Sequence, residues 1–302
     1  MPVDSFAFVR VAQALGRHAR RLGLMAGLML AFTGAHAEAE LSDLPRIKAD
    51  GVLTIAVYKD NAPYSDGEGD QVDGIDVDLG KALAKQLGVR AAFLPFAADE
   101  NMDDDLRNMV WKGHYLGFGP AHVMMHVPVD KRLIDNTPRT LIFAPYAREQ
   151  LVLMHRLSAI GRITGLQDLA DKRIVAERGS GAASLLMGQQ HGMLREVVKL
   201  RDNGMLAAQA VVAGEADAAY VTRAQAESAV AQAKANKAEF GFTVLQLNGL
   251  SGTAAKGWPI GLAIKSANKR LGMALEDALD ELRKSGELQA MFNRRGLTLV
   301  TP

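Results

Sequence analysis

The sequence predicts an α/β fold in which strands and helices alternate. The main observation is the segment from Gly74 to Val89, where the spacing of apolar residues changes from two, typical of an extended chain, to four, typical of a helix. A β-rich run precedes it, and alternating segments follow; the expected elements are strands at 52–57, 91–95 and 116–119 and helices at 76–87 and 102–111. Such alternation predicts mostly parallel sheets flanked by helices.

The N-terminus has the layout of a secretory signal peptide. Three arginines between positions 17 and 21 precede an apolar run from Leu22 to Phe32, and Ala35-His36-Ala37 provides a site of small residues for cleavage. The apolar run is shorter than the ~20 residues that a membrane helix needs. We therefore expect residues 1–37 to be removed by cleavage after Ala37, which leaves no membrane span; an uncleaved anchor is the less favoured alternative.

Composition excludes several functions. The chain has 302 residues and no cysteine, so disulfides, thiolate metal sites and a cysteine nucleophile are excluded. Without residues 1–37 it would carry 31 basic and 33 acidic residues, a balance that lacks the basic field needed for nucleic acid. We find no nucleophile triad, zinc-protease motif or phosphate-binding loop. The sequence therefore predicts a protein that is not an enzyme and that has no cofactor or metal.

Several motifs spread along the chain point to one family. The segment GIDVDLGKALAKQLGV follows the first strand, LIFAPY lies at 141–146, and GLQDLADKRIV lies at 165–175. GEADAAY at 214–220 and WPIGLAI at 258–264 come later, before two C-terminal helices at 268–284 and 288–293. In this order and wording the chain resembles the bacterial extracellular solute-binding proteins of family 3 over nearly all of its length after residue 37.

This resemblance implies a two-lobed clamshell in the periplasm, each lobe a mostly parallel sheet flanked by helices, with two hinge crossings near 147–149 and 256–259. Lobe 1 would comprise residues 44–147 and 256–302, and lobe 2 residues 148–255. The implied function is the capture of a small polar metabolite, which we expect to be anionic, in the cleft between the lobes. By the same resemblance, the partner would be an ABC-type permease.

Two candidate contacts follow from the residues themselves. In open α/β sheets, ligands lie beyond the carboxyl ends of strands, which is where Tyr58 and Tyr64 are expected, with Tyr64 as an aromatic wall. Gly179 and Ser180 form a turn between a strand and a helix, and such a turn suits a carboxylate or phosphate because amide groups and the helix dipole face the anion. The alternative for Ser180 is an ordinary helix cap.

Two further contacts are implied by the resemblance. Arg132 falls where amino-acid-binding members carry an arginine that holds the ligand carboxylate; a solvated surface arginine is the alternative, and Arg139 is a competing candidate. Thr222 falls where those members carry an aspartate that pairs with the ligand ammonium group. A threonine cannot neutralise a buried ammonium group, so we expect a ligand without one and a polar contact from Thr222.

One segment departs from the family pattern and suggests a second function. The acidic residues at 99–105 begin like a calcium loop, but Asp104 and Val110 stand where such a loop needs Gly and Glu, so helix capping is favoured over metal binding. The segment resembles that of accessory proteins of PQQ-dependent methanol or alcohol dehydrogenases. In that alternative, the open cleft would bind a periplasmic quinoprotein dehydrogenase or cytochrome. An extracytoplasmic sensor domain is a third hypothesis.

Overall fold

The computed structural model describes residues 43–247 and 257–302. The expected signal peptide and its cleavage site lie outside the described residues, as does most of the segment that leads into the second expected crossing. Chain contacts divide the protein after Asp50, so that helix α1 (Leu44–Asp50) belongs to one unit and the rest of the described chain to the other. The described residues from Gly51 onward form the second unit.

Strands and helices alternate through this unit. The strands are β1 (Val52–Tyr58), β2 (Asp60–Asn61), β3 (Ser65–Asp66), β4 (Arg90–Phe96), β5 (Val123–Pro128), β6 (Thr140–Glu149), β7 (Leu151–Arg156), β8 (Ile174–Glu177), β9 (Val198–Arg201), β10 (Ala218–Thr222), β11 (Phe240–Thr243) and β12 (Trp258–Lys265). The helices are α2 (Ile75–Gln86), α3 (Met102–Leu106), α4 (Lys131–Asn136), α5 (Gly181–Met187), α6 (Gly204–Val212), α7 (Arg223–Gln232), α8 (Lys269–Lys284) and α9 (Glu287–Arg294). Short 3-10 turns occur at Gly69–Gln71, Leu166–Leu169, Gln189–Gly192 and Lys237–Glu239.

The larger strands form two five-stranded sheets. The first has the order β4-β1-β5-β12-β6 and the second the order β11-β7-β10-β8-β9. The α/β class is confirmed, but the expectation of mostly parallel sheets is wrong, because each sheet has two parallel and two antiparallel pairings. The strand β7 follows the first-sheet strand β6 after one residue, without the crossover helix that parallel neighbours in sequence need, and it pairs with β10 and β11 in antiparallel orientation. The strand β12 is also antiparallel to both of its neighbours, β5 and β6.

The second sheet is buried on both faces. Along β10, Ala219 and Val221 join a core cluster with the buried residues of α6 and α7, whereas Ala218 and Tyr220 join a cluster with those of α5. This alternation follows from the two-residue period of a strand. A strand with both faces covered requires a continuous apolar run, which the segment from Ala218 to Val221 supplies.

The region after α3 differs from the sequence prediction. The expected strand at 116–119 is wrong: Leu116 is 69% exposed, and Gly117 and Gly119 have positive φ angles of 86° and 69°. The strand that enters the sheet is β5, whose residues Val123, Met124 and Met125 are fully buried. The expected helix at 102–111 ends as an α-helix at Leu106 and continues as a π-helical turn. Burial, rather than local pattern, therefore selects the strand.

The two sheets are joined where β6 leads into β7. Only Gln150 separates Glu149, the last residue of the first-sheet strand β6, from Leu151, the first residue of β7. Trp258, the first residue of β12, is the register partner of Glu149. The chain thus returns to the first sheet directly beside the place where it leaves.

In the described part of the chain, no helix combines the length and apolar character needed to cross a bilayer.

Gly257 permits this close approach. Its φ is +82°, and a Cβ atom at this position would lie 2.1 Å from the carbonyl oxygen of Glu149. Arg148 donates from Nη1 to the Gly257 carbonyl oxygen over 3.1 Å. Any side chain larger than hydrogen would push the two segments apart.

We predict that Gly257→Ala destabilises the protein by about 2 kcal/mol more than Gly88→Ala does. Gly88 is a matched control because its φ is +74° and a Cβ atom there would meet nothing within 4 Å. Both variants carry the backbone cost of a positive φ, about 1 kcal/mol, but only Gly257→Ala adds a steric clash. Urea unfolding of both variants measures the difference; equal losses would contradict the close approach.

Candidate functional site

A cavity of about 560 Å³ is lined by residues of both sheets. From the first sheet and its loops come Asn61, His126, Glu149 and Trp258. From the second sheet and its helices come Leu151, Glu177, Ser180, Gly181, Ala182, Leu185, Tyr220, Val221, Thr222 and Gln225. Glu177 and Thr222 end the strands β8 and β10, so this part of the lining lies at the carboxyl ends of strands, where open α/β sheets bind ligands.

Glu149 is the most buried charged group of this lining, with 4% of its surface exposed. Its Oε1 accepts a hydrogen bond of 2.8 Å from the Tyr64 hydroxyl. Burial raises the pKa of Glu149, while nearby His126, the Tyr64 hydroxyl and the Thr222 side chain oppose the rise. Glu149 therefore lies between a residue of the β2–β3 loop and a residue at the end of a second-sheet strand.

His126 lies beside this carboxylate in an unusual backbone conformation. Its φ is +62°, which is uncommon for a residue other than glycine and is often found at functional sites. The His126 Nδ1 is 3.4 Å from Oδ2 of the fully buried Asp76, and neither atom has a hydrogen-bond partner. Asp76 Oδ1 accepts a 2.5 Å hydrogen bond from Tyr146, and the Tyr64 ring lies 4.4 Å from the imidazole. A polar cluster thus supports the cavity from the first sheet.

The structure places two predicted contacts, Ser180 and Thr222, in the lining. Ser180 is the N-cap of α5: its hydroxyl accepts from the Ala183 amide over 3.0 Å and donates to the Glu177 carbonyl over 2.9 Å. Thr222 is the N-cap of α7 and forms a capping box with Gln225. The capping alternative for Ser180 is therefore present in the structure, and the Thr222 hydroxyl likewise accepts from the Gln225 amide over 3.3 Å.

Two other predicted residues, the buried Tyr64 and the exposed Gly179, adjoin lining residues without lining the cavity themselves. Tyr64 is 3% exposed and contacts the cavity through Glu149 and His126 rather than as an aromatic wall. Its pKa is raised well above the usual value by burial and by the charge of Glu149. Gly179 has a φ of +74°, a conformation that allows the chain to turn sharply from β8 into the cap of α5.

Tyr58 and Arg132 are not among the lining residues. Tyr58 is 6% exposed, its ring lies 4.6 Å from that of Phe96, and its hydroxyl donates to Asp105 over 2.8 Å. Arg132 is exposed at the start of α4, where its amide donates to the cap residue Asp130. Tyr58 is therefore part of the first-sheet core, and Arg132 occupies the solvated surface position that was its alternative.

The acidic segment at 99–105 caps helix α3 and forms hydrogen bonds with neighbouring residues. Asn101 is the N-cap of α3 and accepts from the Asp104 amide over 3.1 Å. Asp105 accepts from the Asp99 amide and from Tyr58, both over 2.8 Å. Within residues 43–247 and 257–302, no group of three or more His, Cys, Asp or Glu residues is arranged to hold a metal ion.

Sequence reasoning missed several lining residues: Asn61, His126, Glu149, Glu177 and Trp258. A signal existed for Glu177, which ends a strand directly before the Gly-Ser turn. No comparable local signal marks Glu149 or Trp258, because their proximity arises from the pairing of strands that are far apart in the chain.

We predict that Glu149→Gln becomes more stable relative to the unchanged protein as pH rises from 5 to 8. Burial raises the pKa of Glu149 above its usual value near 4.5, so the folded state binds a proton more tightly than the unfolded state and its stability falls as pH rises above that value. Each tenfold change in the acid constant corresponds to about 1.4 kcal/mol. Glutamine avoids this cost and can still accept the Tyr64 hydrogen bond. Urea unfolding of the variant and the unchanged protein at pH 5 and pH 8 tests this prediction, with the exposed Glu196→Gln variant as control. A difference in unfolding free energy that does not depend on pH would contradict the prediction.

Comparison with known proteins gives relatives along most of the chain. No family model matches it. The L-cystine-binding protein TcyJ of Escherichia coli K12 is 24% identical over 283 residues, which cover 93% of this chain and 95% of the relative. A solved ancestral cationic amino acid solute-binding protein (AncCDT-1) has a TM-score of 0.61 and 21% identity over 84% of this chain and 99% of its own.

A second solved structure is also similar to this chain. An amino acid ABC transporter substrate-binding protein of Streptococcus pneumoniae, bound to L-arginine, has a TM-score of 0.58 and 20% identity over 85% of this chain and 99% of its own. The sequence motifs, the two sheets and these relatives all indicate the same fold. The chain therefore has the α/β fold of the bacterial solute-binding proteins, as its motifs predicted, and comparison adds that it is homologous to an L-cystine-binding protein.

Proposed function

We propose that this protein is exported to the periplasm, captures a small polar solute in the cavity between its two sheets and delivers it to an ABC-type importer. The supporting observation is that residues of both sheets line one cavity, in which the first-sheet residue Glu149 and the second-sheet residue Thr222 lie close together. A ligand in this cavity would contact both sheets at once.

Such contacts would allow ligand to stabilise one arrangement of the sheets. A ligand shifts a conformational equilibrium only through interactions that differ between the two arrangements, and a group that touches both sheets provides such interactions. The crossings beside the cavity, at Glu149 and Trp258, are paired extended segments. We propose that they act as the hinge between lobes with the boundaries given above.

The relatives support a role in solute binding for import. The names of two of them refer to an L-cystine-binding protein and to an ABC transporter substrate-binding protein. The signal-peptide pattern in residues 1–37 is the reason for proposing the periplasm. None of the relatives named here refers to a quinoprotein, and no described residue specifically favours the accessory-protein alternative.

The anionic ligand expected from the sequence is not part of the proposal. That expectation relied on Arg132 and Ser180, but Arg132 is outside the cavity lining and the Ser180 hydroxyl caps α5. The lining contains two carboxylates, Glu149 and Glu177, and in the described chain no lysine or arginine. A carboxylate or phosphate ligand would be repelled by these groups when they are ionised.

We predict that Ala182→Trp abolishes solute binding without unfolding the protein. Ala182 lines the cavity and is partly exposed, so a tryptophan there would occupy space that the ligand needs. The measurement is a thermal-shift screen of residues 38–302 against amino acids, amines, alcohols and carboxylates. A compound that binds at 100 times its dissociation constant should stabilise the protein by about 2.7 kcal/mol.

The control is Ala267→Trp, since Ala267 is exposed and lies outside the cavity. This variant should retain the shift in melting temperature. In the parent bacterium, loss of the protein should reduce uptake of the same compound, and the Ala267→Trp variant, but not Ala182→Trp, should restore it. Binding that survives Ala182→Trp would place the ligand elsewhere and contradict the proposal.

A further inference from the structure

The charged residues that line the cavity indicate the chemical class of its ligand. Glu149 and Glu177 line the main cavity. A neighbouring cavity of about 240 Å³ shares Glu177 and Asn61 with it and adds Asp60 and Asp66. Neither cavity is lined by a lysine or an arginine in the part of the chain that the structure describes. A continuous acidic recess thus runs between the sheets.

These carboxylates differ from others that are buried or partly buried in the protein. Glu227 is paired with Lys237 over 2.9 Å, and Asp217 with Arg173 over 2.6 Å. For Glu149 and Glu177, the described residues provide no ion pair with a lysine or an arginine. A buried carboxylate without a cation is costly, and the cost falls when a cation enters.

The rest of the lining suits an organic cation. Trp258 and Tyr220 line the same cavity as the two glutamates, and aromatic rings attract ammonium groups through their π-electron faces. Leu151 and Leu185 add apolar surface for a short carbon chain. Carboxylates, rings and aliphatic surface together match a small amine rather than a hydrated metal ion, which requires several oxygen ligands.

A second, independent observation points to a ligand. The side-chain nitrogen Nδ2 of Asn61 is buried and has no hydrogen-bond partner, and Asn61 borders both cavities. Nδ1 of His126, which lines the main cavity, is 3.4 Å from the Asp76 carboxylate and also lacks a hydrogen-bond partner. Unpartnered buried polar atoms are rare. The Asn61 amide nitrogen is a donor, so it would be satisfied by an acceptor atom of the ligand, such as a hydroxyl oxygen, while the ammonium group would face the carboxylates.

The burial of Glu149 and Glu177 also favours a cationic ligand. It raises the pKa of Glu149 and of Glu177, and the charge of Asp60 adds to the rise for Glu177. A cation bound beside either group would lower its pKa and favour the ionised form. The cavity therefore has the electrostatic properties of a site that is completed by a positive charge.

We propose that the ligand is a small organic ammonium compound without a carboxylate, held by Glu149 and Glu177 and packed against Trp258 and Tyr220. This inference rests on the proposed function, because it names the class of solute for the same cavity. Thr222 falls where amino-acid-binding members carry an aspartate, but its side chain lies beside the Glu149 carboxylate. The negative charge is thus supplied from the crossing between the sheets rather than from the end of β10.

The test compares pairs of compounds that differ only by carboxylate groups. Isothermal titration of residues 38–302 is carried out with cystamine and L-cystine, agmatine and L-arginine, and putrescine and L-ornithine, with succinate as a simple anion. We expect at least one amine to bind at least ~10-fold more tightly than its amino acid, since a ligand carboxylate would face Glu149 and Glu177 without a partner.

Variants identify the site. Glu177→Gln and Glu149→Gln should each weaken binding of that amine ~10-fold or more, because each removes a charge-assisted hydrogen bond. Glu196→Gln removes an exposed carboxylate outside both cavities and should leave the affinity within about twofold. Circular dichroism spectra and melting curves of each variant establish that it is folded; Glu177 is half-buried, so its variant provides the test if Glu149→Gln unfolds.

The outcomes separate the two proposals. Preferred binding of an amino acid or of succinate in the cavity, blocked by Ala182→Trp, would leave the solute-binding function in place and overturn the ammonium ligand. Binding of an amine that is unaffected by both glutamate variants would also overturn it. The absence of binding by every compound in the panel and in the broader screen would overturn both.

Discussion

The buried carboxylate of Glu149 is the interaction on which the arrangement of the site depends. It is the last residue of a first-sheet strand; it accepts a hydrogen bond from Tyr64, between β2 and β3, and lies close to Thr222, at the end of a second-sheet strand. A charge this deeply buried is tolerated only where hydrogen bonds compensate for lost water. Glu149 therefore fixes the position of Tyr64 at the place where the chain crosses between the two sheets.

The backbone around this carboxylate is equally constrained. The returning strand begins at Trp258, directly opposite Glu149, and Gly257 leaves no space for a side chain between the two segments. The crossing therefore positions a carboxylate and an indole ring on the same cavity. The backbone of Glu149 and Trp258 therefore connects the two sheets, and their side chains would contact a ligand in the cavity.

The charge of the cavity departs from what the position of single motif residues suggests. A threonine at the end of β10 implies the loss of a negative charge, but its side chain lies beside a carboxylate supplied by another strand. An arginine at the expected place in the chain lies at the surface on a short helix. The net result is a recess with carboxylates and, among the described residues, no lysine or arginine. A site is thus defined by which groups converge, since electrostatic interactions depend on distance in space rather than on position in the motif.

Local patterning in the sequence determined the class of fold and most of its elements. Helices such as Lys269–Lys284 and strands such as Trp258–Lys265 carry their own periodicity, and the caps at Ser180 and Thr222 are encoded by adjacent residues. Only the tertiary structure decided that β5 rather than residues 116–119 enters the sheet, that the sheets are mixed, and that Tyr58 belongs to the core. It also decided that Glu149, Glu177 and Trp258 share a cavity. Periodicity and capping depend on neighbours in the chain, whereas strand pairing, burial and the sign of a cavity's charge depend on segments that can lie more than a hundred residues apart.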